Sequence, residues 1–118
     1  MTPEQAARSP EEAARAQLDA YNARDVEAFL KPYHPDVTLA RLPGNEVFAH
    51  GHDEMRAIYG PMFASAPDLH CRLVHRICHD RFVVDHEEVV GIPERGTVGA
   101  VATYEIVDGL IIRAWFLR

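Results

Sequence analysis

The sequence predicts an α+β domain in which helices come first and a sheet follows. Two observations carry this. Apolar residues recur at helical spacing through the first half of the chain, and the period changes to two from Asp36 onward. Four long strand patterns then follow with short turns between them, as expected of antiparallel neighbours. The change of period falls within residues 21–43, YNARDVEAFLKPYHPDVTLARLP, around which the other elements are arranged.

Two helix starts open the chain. Thr2-Pro3-Glu4-Gln5 and Ser9-Pro10-Glu11-Glu12 each offer a cap, a proline at the first helical position and Gln or Glu three residues after the cap. Only the second is followed by an apolar stripe, Ala14, Leu18 and Tyr21, so residues 1–10 read as an N-terminal extension able to fray. Asp25 can cap a second helix whose buried face is Val26, Phe29, Leu30 and Tyr33, and Pro32 and Pro35 stop it early. The first strand follows, with Val37, Leu39 and Arg41 on one face. After a turn at Pro43-Gly44 and a short strand at 47–49, Met55, Ile58, Tyr59, Met62 and Phe63 predict a third helix. Gly60-Pro61 should bend or break it.

The remaining strands are expected at 69–79, 82–92, 97–107 and from 110 onward. Strict alternation places Cys71, Leu73, His75 and Ile77 on one face of the first of these, and Cys78 on the other. The last strand is apolar on both sides: Leu110, Ile112, Ala114 and Phe116 on one, Ile111, Trp115 and Leu117 on the other. The second side, with Arg113, is expected to meet a second copy of the chain in a homodimer.

At 118 residues this is one domain, large enough for a core without metals or disulfides. With 47% apolar and 25% charged residues it has the make-up of an ordinary globular protein. A net charge of −6 without any Lys/Arg run argues against nucleic acid and against an anionic membrane surface as partners. No window approaches a membrane span and no signal pattern opens the chain. Cys71 and Cys78 are too far apart along a strand to bridge, which together suggests the cytoplasm.

The segment AYNARDVEAFLKPYHPDVTL, the helix entry Gly51-His52-Asp53-Glu54-Met55-Arg56 and Asp108-Gly109-Leu110-Ile111 resemble the nuclear transport factor 2-like superfamily. Within it the chain is most similar to the SnoaL-like and ketosteroid-isomerase-like branch, from about residue 11 to the end. The resemblance implies a cone-shaped α+β barrel, three helices on a strongly curved sheet with a pocket between them. The superfold hosts isomerases, cyclases, dehydratases, hydrolases and non-enzymatic dimers, so it marks chemistry weakly. Ketosteroid isomerases pair a base aspartate with an oxyanion hole of tyrosine and protonated aspartate. Those places fall here at Arg41, near Gln17 and near Ala102, and arginine cannot serve as the base.

Arg41 ends the inward face of its strand, where its guanidinium either binds an anionic ligand or reaches the rim. His75 stands on an otherwise apolar strand face, as a proton-transfer group or as a core histidine bonded to a carbonyl. In Asp85-His86-Glu87-Glu88 alternation sends two of the four inward, so His86 and Glu87 join His75 as candidate acid–base residues. Tyr21, Tyr33, Tyr59, Tyr104 and Phe116 are expected to line the pocket or simply to pack the core. His50 and His52 lack a third ligand at usable spacing, and no phosphate loop, nucleophile motif or cofactor fingerprint appears. Neither metal nor cofactor is expected. Three readings follow: an isomerase, cyclase or dehydratase acting on a small apolar carbonyl or carboxylate compound; a non-catalytic binder of such a ligand; and a dimerisation domain whose pocket is filled by its own side chains.

Overall fold

A computed structural model describes Pro3 and residues 8–118. Apart from Pro3, the first of the two helix-start signals lies outside the described residues. The second is used as read. Ser9 caps α1 (Pro10–Ala23), its hydroxyl accepting from Glu12 N at 3.1 Å while Glu12 Oε1 accepts from Ser9 N at 2.9 Å. Asp25 caps α2 (Val26–Leu30) by accepting from Ala28 N. That helix ends sooner than its apolar stripe suggests. Tyr33 opens strand β1 (Tyr33–Arg41) instead of closing the helix, because Pro32 has no N–H to continue the helix and Tyr33 pairs with Ile111 in the sheet.

Strand β2 (Glu46–His50) leads into α3 (Gly51–Ser65), which runs unbroken through Pro61. Pro61 lies on the exposed side of α3, where a carbonyl deprived of its helical donor can turn to water. Strands β3 (His70–His79), β4 (Phe82–Val90), β5 (Val98–Val107) and β6 (Leu110–Leu117) complete the chain. They form one six-stranded sheet in the order β2-β1-β6-β5-β4-β3, antiparallel throughout except for β1 beside β6. The sheet curls around the helices without closing, and among the described residues no helix is long and apolar enough to cross a membrane.

Bulges produce the curl, since an extra residue on one strand bends it and sharpens its twist. On β3, Leu73 faces Glu87 and His75 faces His86, so Val74 is the extra residue. On β6, Arg113 faces Glu105 and Ile111 faces Ile106, so Ile112 is extra. On β2, Ala49 faces Leu39 and Val47 faces Ala40, leaving Phe48 over. Each bulge also reverses which side chains point inward beyond it.

Two expectations fail for this reason. His75 is exposed on the outer face and Arg76 takes the inner position. Ile111 is fully buried in the core and so cannot belong to an outer dimer face, where only Arg113, Trp115 and Leu117 of the expected set remain. The Val74 bulge likewise returns Cys78 to the face of Cys71, although the two remain far apart along β3 as free thiols.

The core lies between the helices and the concave face. Phe29 is its centre, with ring centroids 4.8 Å from Tyr59, 5.2 Å from Tyr33 and 5.5 Å from Phe63. Asn22 joins the end of α1 to β3 as a strand neighbour would: its amide donates to Cys71 O at 2.9 Å and its carbonyl accepts from Cys71 N at 2.8 Å. Arg24 adds a bond to Leu69 O. These contacts hold Cys71, and with it the inner face of β3, against α1.

Candidate active site in the cone

Two hollows lie end to end on the concave side. The inner one, about 40 Å³, is enclosed by Gln17, Tyr21 and Tyr59 from the helices and by Tyr33, Cys71, Glu87, Tyr104 and Phe116 from the sheet. It has room for a few waters or one small functional group. The outer one, about 460 Å³, is bordered by Arg41, Phe48, Ile58, Met62 and Arg95. Tyr59, Phe116 and Arg118 belong to both and form the throat between them.

Glu87 is the titratable centre of the inner hollow. Alternation along β4 sends Val83, Asp85, Glu87 and Val89 inward, and His86 and Glu88 outward. Glu87 is 7% exposed. Burial pushes its carboxyl up to about 7, and the neighbouring Asp85 charge adds to the rise; the Cys71 thiol, which donates to Glu87, and the charges of Arg118 and Arg76 oppose it.

Asp85 is fully buried and is held by a bidentate Arg76, with Nε donating at 2.7 Å and Nη2 at 3.0 Å. Two carboxylates on one inward face thus have different surroundings. Asp85 has a guanidinium in direct contact, whereas Glu87 has a thiol and a wall of phenols.

Phenols surround Glu87. Tyr33 donates to Gln17 Oε1 at 3.2 Å, and Gln17 Nε2 donates to Ala14 O at 3.1 Å, so the glutamine orients the tyrosine. Burial raises Tyr33 and Tyr104 well above the ordinary phenol range and Tyr59 to about 12; Tyr21 rises as well. These groups stay neutral near neutral pH; the Tyr33 proton is directed to Gln17, while Tyr21, Tyr59 and Tyr104 can donate to an oxygen that gains charge. Burial also raises the Cys71 thiol, which disfavours a nucleophilic thiolate there.

The structure therefore gathers Glu87, Tyr21, Tyr33, Tyr59, Tyr104 and Phe116 around one cavity and places Arg41 at its mouth. His75 and His86 are not among them. They sit opposite each other on exposed outer-face positions of β3 and β4. Sequence reasoning missed Cys71, Arg76, Arg95 and Arg118 as members of the site. Gln17 had a readable signal, since it is three residues after Ala14 and four before Tyr21 on the α1 stripe. Among the described residues no three His, Cys, Asp or Glu side chains converge as metal ligands would.

A curled, unclosed sheet packed by three helices among the described residues defines the nuclear transport factor 2-like fold. The chain belongs to the SnoaL-like domain family, whose pattern matches residues 14–114. Its fold is similar to that of an uncharacterised cystatin-fold protein from Novosphingobium aromaticivorans, with 26% identity, 94% of this chain and 99% of that one covered, and a TM-score of 0.86. A SnoaL-like protein of unknown function from Burkholderia thailandensis shares 20% identity over 98% of this chain and 94% of its own, with a TM-score of 0.74. A candidate polyketide cyclase from Sinorhizobium meliloti shares 15% identity over 88% of this chain and 92% of its own, with a TM-score of 0.75. At those identities the last two show the fold alone. A search of curated proteins found no match.

Proposed function

We propose that the chain catalyses proton transfer on a small apolar carbonyl compound, as an isomerase, cyclase or dehydratase of the SnoaL type does. The observation that carries this reading is Glu87, a carboxyl at the bottom of the cone whose proton affinity is matched to neutral pH. In this reading the Glu87 carboxylate removes a proton from the carbon next to the substrate carbonyl. The electron pair of the broken C–H bond forms the enolate C=C, and the carbonyl oxygen takes the negative charge. The neutral phenols of Tyr21, Tyr59 and Tyr104 donate to that oxygen. Glu87, now protonated, returns the proton to the same or another atom of the enolate, so atoms and charge balance. His75 and His86 have no part in this scheme because they face outward.

The test is solvent exchange. A panel of small ketones and keto acids in deuterium oxide should lose α-protons in the presence of the protein, followed by NMR. Glu87→Gln should reduce the exchange about 100-fold or more. Compounds that bind without exchange would sink the catalytic reading.

The narrowness of the inner hollow supports a second reading, a dimerisation domain whose cone is largely filled by its own tyrosines. In either case a second copy is proposed to cover the outer sheet face.

A further inference from the structure

The mouth of the cone differs electrostatically from the rest of this acidic protein. Arg15, Arg56, Arg72, Arg76, Arg81 and Arg113 each reach a carboxylate. Among the described residues five arginines form no such pair: Arg8, Arg24, which donates to the Asn22 and Leu69 carbonyls, and Arg41, Arg95 and Arg118, of which the last three border the same hollow of about 460 Å³. Three exposed guanidiniums around one hollow make its mouth locally positive, and that field favours an anion there.

Each is presented by a defined piece of backbone. Arg41 ends β1 directly opposite Phe116 of β6, and Leu42 N donates to Phe116 O at 2.8 Å, which fixes the two strand ends together. Arg118 follows two residues after Phe116, at the throat. Arg95 comes from the β4–β5 turn, closed by Arg95 N donating to Ile92 O at 3.1 Å. The Arg41 guanidinium lies over the Phe48 ring, 4.0 Å from its centroid. Stacking uses the face of the guanidinium and leaves its in-plane N–H groups free to donate.

We propose that Arg41, Arg95 and Arg118 form a receptor for an oxyanion, carboxylate or phosphate, carried on an apolar body whose uncharged end enters the throat between Tyr59 and Phe116. Charge and shape agree on this orientation. The anion belongs outside, where the cations are. The inner hollow admits only a small group, and an anion there would be repelled by the Glu87 carboxylate. Positive charge focused at the entrance of a protein with net charge −6 would also draw such a ligand in from solution. This inference rests on the cone being the ligand site, but not on Glu87 being a base.

The experiment is calorimetric titration with 4-phenylbutyrate, 3-phenylpropyl phosphate and the uncharged 4-phenylbutanamide. Either anion should bind roughly tenfold or more tightly than the amide at low salt. Arg41→Gln, Arg95→Gln and Arg118→Gln should each reduce that preference, and added salt should erode it. Arg72→Gln, which removes the outer-face partner of Glu88, should leave it unchanged. Whichever anion binds better identifies the head group. Thermal unfolding of the triple variant checks that it folds, as expected of exposed positions.

An amide that binds as well as the anions, an anion preference that survives the triple substitution, or no binding of either anion would each overturn the proposal. Glu87→Gln separates the two readings. Arginine-dependent binding retained in that variant, without proton exchange in the wild type, upholds the receptor and removes the base.

Discussion

Asp85 and Glu87 stand two positions apart on one strand face, and their partners divide their roles. Asp85 is wholly buried and ion-paired, so Arg76→Met would strand a charge where water cannot reach it. Destabilisation of about 3–5 kcal/mol is expected in urea denaturation. Arg76→Met combined with Asp85→Leu removes both charges and should recover most of that loss. Glu87 behaves oppositely. Its carboxyl rises from 4.5 when unfolded to about 7 when folded, so the folded state binds the proton more tightly. Below pH 4.5 both states are protonated and Glu87 has no effect. Between pH 4.5 and about 7 the unfolded state loses its proton first, and stability falls as pH rises, by about 3 kcal/mol in all. Denaturation at pH 5 and pH 8 should show that fall in the wild type, and Glu87→Gln should flatten it.

At the scale of elements the bulges decide most. Strict alternation along β3 puts His75 inside and Arg76 outside, and the single extra residue at Val74 exchanges them. Nothing in the residues 70–79 marks the bulge, since valine is as much at home in a regular strand as in an interrupted one. Where backbone chemistry leaves a mark, sequence reading does better, as at the Ser9 capping box and the Asp25 cap. Gly91 is a site of the same kind. Its φ is +83°, and a β-carbon there would stand 2.0 Å from Asp68 O, on backbone that cannot rotate away. Gly91→Ala should therefore destabilise the fold by on the order of 2–4 kcal/mol in thermal or urea unfolding. The end of β4 and the Asp68–Leu69 entry to β3 would have to part.

At the scale of the whole molecule the outer sheet face remains uncovered by helices. Ile77 is 54% exposed and Leu117 42%, with Trp115 half-buried between strands and Val74 also open to solvent. These exposed apolar residues, set among the charged pairs of the same face, are expected to be covered by a second copy, so sedimentation at micromolar concentration should give a dimer. Replacing Leu117 and Ile77 by lysine should shift it to monomer without unfolding it. A wild-type monomer under those conditions would refute the interface.

The sequence by itself determined the fold class, the order of the helices and strands and the aromatic residues of the cone, because helix and strand periods and caps are local properties. It also placed Arg41 at the inner end of its strand. Only the tertiary structure decided that Asp85 and Glu87 rather than His86 face inward, that Ile111 belongs to the core, and that Arg95 and Arg118 join Arg41 at one mouth. Those outcomes depend on strand register and bulges, which are set when distant segments pair and the sheet curls, and no single segment encodes them.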